Sequence, residues 1–545
     1  MLLYKNFCQE SLDENGTIHE FSLNYPENFN FGYDVVDVLG RENPDGLAVM
    51  WCNTAGAEKR LTYREIMELS NRAANAFTAR GIRKGDRVLV ILKRNWEYWY
   101  VAPALHKLGA VMIPATHLLT VDDLVYRIGK ADITAAIVTP EGETLQDLQS
   151  AQQRCPQLHT IFVPRKSAEG CVNLEDALAA ASPILKRVET KVTDPMMVYF
   201  TSGTTGYPKA VVHNFTYPLS HIITARYWHG VVEDGLHLTV AETGWAKASW
   251  GKLYGQWLCG SGVMVYDFDI FSPGKLLRVI EKYRVTTFCA PPTVYRYFVK
   301  RGMHHYDLSA LQHLSTAGES LSAPIFRKVE QQTGLHLMEG FGQTETALIL
   351  ANFQGTVSKP GSMGKPSPMY QVRLLKEDGS FAGVDEPGEV VVIPPDSGME
   401  CGIFTGYCQD EALYENVWRE GVYHTGDTAT MDQDGYYWYI GRVDDLIKTK
   451  GFRVGPFEVE NVLMEHPAVL ECAVIGVPDE DRGQAIKAVV SLAAGYEPSP
   501  ELSKEIRDYC NHRMASYKWI QILEFNNEMP KTISGKIRRT QLRKA

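Results

Sequence analysis

Apolar and polar positions along this chain follow two periods. After the capping pair Thr62 and Glu65, the apolar residues Ile66, Leu69, Ala73, Ala74 and Phe77 recur at three- and four-residue steps, which predicts one face of a helix that Gly81 can close. The next apolar run, 88–92, is unbroken and β-branched, as expected of a buried strand. The same exchange of helix and strand returns at 135–138, 276–283 and 286–289, a rhythm that predicts an α/β fold. Around 389–393 and 436–440 the runs become short, aromatic and separated by glycine, so a β-rich subdomain is expected at the end of the large domain. Past Gly441 a helix opened by Pro456 and running to His466 precedes strands near 471–475 and 485–492, the pattern of a small α+β unit. These breaks predict a large domain over 1–443 and a small, mobile domain over 444–545, with Asp444 as hinge.

Composition narrows the classes. A chain of 545 residues suggests three to four folding units at about 150 residues each. Lys plus Arg 55 against Asp plus Glu 65 leaves a net charge of -10, which argues against nucleic acid as the partner. Hydrophobic residues at 45% and charged residues at 22% are globular proportions, so a large core can be buried. The ten cysteines contain no Cys-x-x-Cys pair, and reduced thiols in a cytoplasm are the expectation. Residues 1–16 lack the apolar core of a secretion signal, and the most apolar stretch, 87–115, is broken by Lys93, Arg94, Glu97 and Lys107, so no membrane span is expected.

The densest chemistry lies in Thr201-Ser202-Gly203-Thr204-Thr205-Gly206-Tyr207-Pro208-Lys209, behind the apolar run 197–200. Hydroxyls, glycine backbone N–H groups and a lysine can converge there on phosphate oxygens. It is not a Walker A loop, because Tyr207-Pro208 separates the last glycine from the lysine and 210–212 reads as a strand instead of a helix.

With this nonapeptide the chain resembles the adenylate-forming superfamily of acyl-CoA synthetases, adenylation domains and luciferases. Gly318-Glu319-Ser320 and Glu339-Gly340-Phe341-Gly342-Gln343-Thr344-Glu345 resemble its adenine- and magnesium-binding segments. Tyr423-His424-Thr425-Gly426-Asp427 with Gly441-Arg442 resembles the ribose-binding pair, and Pro530-Lys531-Thr532-Ile533-Ser534-Gly535-Lys536 the catalytic-lysine motif. The resemblance extends from about Asn28 onward. It implies an ATP-dependent acid:CoA ligase working through an acyl-adenylate, with ATP and CoA as cosubstrates and Mg2+ on Glu345; an adenylating ligase serving a carrier protein is the alternative. Lys536, Thr204 and Lys209 take catalytic roles, and Arg453 joins the ATP contacts. A carboxylate approaching the α-phosphorus brings like charges together, about 4 kcal/mol per unit pair at 4 Å and an effective dielectric of 20, so the site must supply cations.

Within the superfamily the resemblance is nearest to medium-chain and branched-chain acyl-CoA synthetases. It implies an acyl pocket of Trp245, Trp250, Gly251 and Gly342, with 289–293 as pocket wall where Pro291-Pro292 interrupts regular structure. Acetyl-CoA synthetases place a tryptophan at the position of Gly342, so a medium-chain, branched or simple aromatic acid is expected in place of acetate. Lys450, Gly451, Phe452, Arg482 and Trp519 are the implied CoA contacts. The chain departs from the family there: serine is usual at Lys450, and the customary Ala-Pro-Tyr-Lys-Tyr-Pro-Arg is Ala515-Ser516-Tyr517-Lys518-Trp519-Ile520-Gln521. The assembly state, including a homodimer, is left open.

Overall fold

The computed structural model describes residues 1–201, 207–319, 321–394, 401–531 and 537–543. Among these, two mostly parallel sheets dominate the large domain. In the first, strands Arg87–Ile91, Val111–Pro114, Ala135–Val138 and Thr160–Val163 run parallel, and Pro195–Thr201 joins them parallel to Val111–Pro114. In the second, Leu47–Asn53, Gly262–Asp267, Leu236–Thr239, Thr287–Cys289, His313–Thr316 and Leu337–Gly342 lie side by side in that order, also parallel.

The two sheets share a core. Helix Tyr98–Leu108 is buried along its whole length, and its residues cluster with Val88, Val90 and Ile137 of one sheet and Val49, Val263 and Val265 of the other. The opposite strand faces pack separately: Leu89, Ile91 and Ile113 in one cluster, Met264, Phe288 and Leu314 in another. Strand alternation thus gives each sheet two buried faces, as an all-apolar strand requires. The predicted helix after Thr62 is present as Tyr63–Ala79 with both hydrogen bonds of the capping box.

A smaller antiparallel sheet follows, in which Val422–Met431 pairs with both Gly388–Ile393 and Tyr437–Arg442. This is the expected β-rich subdomain. The region after it contains a hairpin of Ile447–Thr449 and Phe452–Val454, helix Pro456–Leu463 and a sheet of Val469–Asp479, Gly483–Leu492 and Ile522–Phe525, around Ile447, Val459, Val474 and Ile486. The helix stops at Leu463, short of the expected His466, whose own helical torsions Pro467 disfavours. Glycines let this helix approach the strand Tyr437–Arg442: a Cβ on Gly455 would stand 2.4 Å from the Ile440 carbonyl oxygen, and Phe457 meets Tyr439 edge-on at 5.8 Å.

Pro291-Pro292 stands where the expected interruption falls, between strand Thr287–Cys289 and helix Pro292–Arg301; Pro292 opens that helix, a position where its missing N–H costs nothing.

Candidate active site

The ends of the hydroxyl-rich loop meet. Strands Pro195–Thr201 and Lys209–Asn214 are antiparallel with Thr201 and Lys209 as register partners. Ser202, Gly203, Thr204, Thr205 and Gly206 lie outside the described residues. The exit of the loop is held by Tyr126, absent from the sequence reading: its ring stacks on the exposed Tyr207 at 4.6 Å and its hydroxyl donates to the Pro208 carbonyl at 3.0 Å.

Lys209 points its ammonium at the Tyr407 ring, 5.7 Å from the centroid. Tyr407 is placed by the pairing of Gly406–Tyr407 with Lys209–Asn214, and its hydroxyl donates to Oε1 of Glu345 at 2.9 Å. Burial lifts the Tyr407 phenol far above its ordinary pKa and the Glu345 charge adds to this, so the group stays a neutral donor. The proposed phosphate lysine and magnesium carboxylate therefore flank one tyrosine that no motif had marked.

Gln343 gathers the next pieces. Its amide donates to the Thr425 carbonyl at 2.8 Å and to Oδ2 of Asp427 at 2.6 Å, while the Tyr423 hydroxyl donates to its Oε1 at 2.8 Å. Asp427 and Arg442 are register partners on adjacent strands, with Nη1 of Arg442 3.3 Å from Oδ2 of Asp427 and 2.8 Å from the Thr425 carbonyl. Tyr439 donates to the other Asp427 oxygen at 3.1 Å. Burial opposes the Arg442 charge, but Asp427 and Tyr439 outweigh it and hold the guanidinium protonated. Gly426 sits at φ +71°, and a Cβ there would strike the Arg442 guanidinium at 2.6 Å, so the ribose-type pair needs this glycine. His213, buried and neutral with its pKa pushed down to about 4, donates to the Thr344 carbonyl at 2.7 Å and ties the segment to the strand Lys209–Asn214.

The adenine-type segment is built on a buried acid. Gly318 has φ +103°, and Glu319 accepts from Thr293 at 2.8 Å; Ser320 lies outside the described residues. The Leu321 N–H donates to Oε1 of Glu339, whose carboxyl burial pushes up to about 8. Gly340 is required by packing, since a Cβ would meet the Trp228 ring at 2.6 Å. Phe341 lies 6.4 Å from Tyr439, beside the Asp427 cluster.

The acyl-pocket residues divide. Trp250 stands among His221, Trp228 and His229, with the Lys247 ammonium 5.8 Å over its ring. Trp245 precedes helix Ala246–Lys252. Gly251 does not open space: a Cβ would press on Thr239 at 2.8 Å, so its role is close packing of that helix on strand Leu236–Thr239. At Gly342 a Cβ would come 2.5 Å from the Ala347 carbonyl oxygen, where the strand pairing is irregular. The glycine there serves the backbone before it serves any ligand.

The CoA candidates lie at one end of the small unit. Lys450 and Gly451 form the two-residue turn of the hairpin with φ of +48° and +81°, and the Lys450 N–H donates to the Arg482 carbonyl at 2.9 Å. Two successive positive φ values explain the glycine and leave Lys450 in a region disfavoured for a side chain. Phe452 stacks on Tyr517 at 4.5 Å, and Trp519, half exposed, donates to the Met514 carbonyl. Arg453, half exposed, is paired with Glu377 at 2.5 Å. Asp444 is exposed in a short helical turn, Val443–Asp445; Lys536 lies outside the described residues.

Among the described residues no three His, Cys, Asp or Glu side chains gather into a metal cage. Magnesium does not need one: it is held by one or two carboxylates together with substrate phosphates, which the oriented Glu345 fits. When bound there, the ion would neutralise phosphate charge.

Comparison with known proteins agrees with this grouping. Residues 37–408 match the model of the AMP-binding enzyme family and residues 458–536 that of the AMP-binding enzyme C-terminal domain. Human mitochondrial acyl-coenzyme A synthetase ACSM3 is 37% identical over 96% of this chain and 91% of its own length, and human ACSM4 is 39% identical over 95% and 90%. Among solved structures, the anthranilate CoA ligase AuaEII with anthranoyl-AMP has a TM-score of 0.86 at 28% identity, covering 95% of this chain and 98% of that one. A benzoate CoA ligase from Burkholderia xenovorans has a TM-score of 0.82 at 25% identity, covering 94% and 100%. With its loop, amide hub and ribose-type pair in family order, this chain belongs to the AMP-binding enzymes and is an acyl-CoA synthetase.

Proposed function

We propose that the enzyme activates a medium-chain, branched or simple aromatic carboxylic acid. The reaction it serves is ATP-dependent acid:CoA ligation through an acyl-adenylate, releasing AMP and pyrophosphate. The observation that carries this is the convergence on Gln343: one amide joins Asp427, which can accept the ribose hydroxyls, to the strand end that leads into Glu345, Tyr407 and Lys209. Ribose and phosphate groups are thereby addressed from one connected cluster. Lys209 offers positive charge to phosphate oxygens, and Tyr407 keeps Glu345 oriented.

The acyl class rests on the aromatic surroundings of Trp250 and on relatives whose own acids are anthranilate and benzoate. Each methylene buried there would contribute about 0.8 kcal/mol, so longer acids outcompete acetate. Asp444 is our hinge: residues 1–443 hold acid and nucleotide, and residues 444–545 present Lys536 for adenylation and the Lys450–Gly451 turn for thioester formation. The carrier-protein alternative is not favoured, since the curated relatives are acyl-CoA synthetases.

Mass spectrometry of the products from ATP, CoA and a mixed acid pool tests the reading. Acyl-CoA and AMP from acids of four to eight carbons or benzoate-type acids are expected; acetyl-CoA as the dominant product would overturn the acyl class, and ADP would overturn the reaction.

A further inference from the structure

The segment that follows the catalytic-lysine motif is tied to the hinge by ion pairs. Lys531 and Ile537, the described residues that flank 532–536, pair with each other as an antiparallel bridge, and the Arg538 N–H donates to the Pro530 carbonyl at 2.8 Å. The base of that loop is therefore closed. Leu542 and Ile537 pack with Ala473, Ile475, Val489 and Met529, which fixes the base on the small domain's sheet.

Two arginines then reach toward the hinge. Arg539 donates to both oxygens of Glu460, at 2.7 and 2.9 Å, and stands 3.7 Å from Asp445; Arg543 donates to Asp445 at 2.7 Å. Glu460 is itself anchored, since its Oε1 accepts the Val474 N–H at 2.8 Å from the sheet. Asp445 is the last residue of the turn Val443–Asp445, one position past the proposed hinge. The two acids are largely shielded, Asp445 and Glu460 exposing 15% and 10% of their side chains, so the half-buried Arg539–Glu460 pair is less screened than a surface ion pair, while Arg543 reaches Asp445 from the surface. Neither arginine is among the substrate contacts that the sequence implies.

We propose that Arg539 and Arg543 are positioning residues that lock the base of the lysine loop to the hinge-side segment at Asp445. The inference rests on the reading that the small domain swings at Asp444. With Asp445 immobilised, bending is confined to the residues before it, and the paired residues Lys531 and Ile537, between which Lys536 lies in sequence, turn with the domain. Without the lock, the domain still swings, but the lysine arrives over a spread of positions, and misplacement of a catalytic group by about 1 Å costs up to a hundredfold.

The test is Arg543→Gln in the full-length enzyme, with each half-reaction measured separately: pyrophosphate exchange for adenylation, and CoA consumption from supplied acyl-AMP for the second step. Adenylation kcat is expected to fall about tenfold to a hundredfold with the KM for ATP and acid unchanged, while the second step keeps its rate. Arg543→Lys, which keeps the charge on Asp445, should recover most of the loss, and Asp445→Asn should reproduce it. Thermal unfolding of each variant is measured alongside. If both half-reactions fall in parallel, or neither changes, or Arg543→Lys is as impaired as Arg543→Gln, the lock has no positioning role and the inference is overturned. Should the wild type form no acyl-AMP from any acid, the underlying reading fails instead, and this is seen before any variant is compared.

Discussion

Tyr407 donates its hydroxyl to Glu345 at 2.9 Å while its ring lies 5.7 Å below the Lys209 ammonium, so one side chain sets the geometry of an anion and a cation that are 136 positions apart in sequence (345 - 209). A hydrogen bond to a charged group contributes about 1.5–3 kcal/mol, which converts to roughly ten- to a hundredfold in rate. Tyr407→Phe keeps the ring and removes the donor. Pyrophosphate exchange should drop within that range with the melting temperature nearly unchanged; a variant as fast as wild type would show that Glu345 needs no orienting partner.

Gln343 faces Asp427 through a neutral amide at 2.6 Å. In Gln343→Glu two carboxylates would meet there, and one of them must hold a proton to relieve the repulsion. The variant should bind ATP weakly at pH 8 and recover relative to wild type as the pH falls toward 6. A pH profile parallel to that of wild type would contradict the assignment.

Glu339 ties its chemistry to stability. Burial pushes its folded carboxyl up to about 8, against 4.5 for an ordinary glutamate. Between these values the folded state retains a proton that the unfolded state has released, so stability from this group falls as pH rises from about 4.5 to 8 and levels off above. Glu339→Gln keeps an oxygen for the Leu321 N–H and has no proton to lose. Its denaturant midpoint should therefore decline less than wild type between pH 6 and 9; equal slopes would refute the buried neutral acid.

Gly342 carries a steric prediction. Because a Cβ would stand 2.5 Å from the Ala347 carbonyl oxygen, Gly342→Ala should destabilise by about 1–3 kcal/mol through forced backbone movement. Gly342→Trp, drawn from the resemblance to acetyl-CoA synthetases, must displace that carbonyl before it can shorten any acyl slot. Calorimetry checks the first effect and kcat/KM for acetate against hexanoate the second; an alanine variant as stable as wild type would show that the irregular pairing yields easily.

Lys536→Ala should lower adenylation by about 100- to 1000-fold, the usual cost of a lost transition-state donor, and spare thioester formation from supplied acyl-AMP. Equal losses in both steps would remove the alternating use of the small domain.

The sequence by itself determined the local elements and the order of the motifs. The Thr62 and Glu65 pair dictated its helix because capping acts within one turn, and the apolar run before Thr201 dictated its strand because it is buried on both faces. Residues such as Gln343, Asp427 and Arg442 were legible because they sit in motifs whose types suit ribose and phosphate. Tertiary structure alone decided their partners. Tyr407, Tyr126 and Tyr439 carry no local signature, since a tyrosine on a strand or helix reads as core until its hydroxyl is seen to reach Glu345, Pro208 or Asp427. Gly251 and Gly342 were read as lining an acyl pocket, yet what a missing Cβ allows depends on which backbone or side chain approaches from another segment. The pairing of Arg453 with Glu377, and of Arg543 with Asp445, likewise follows from how the small domain packs, and charge pairing across such distances leaves no periodic trace in the chain.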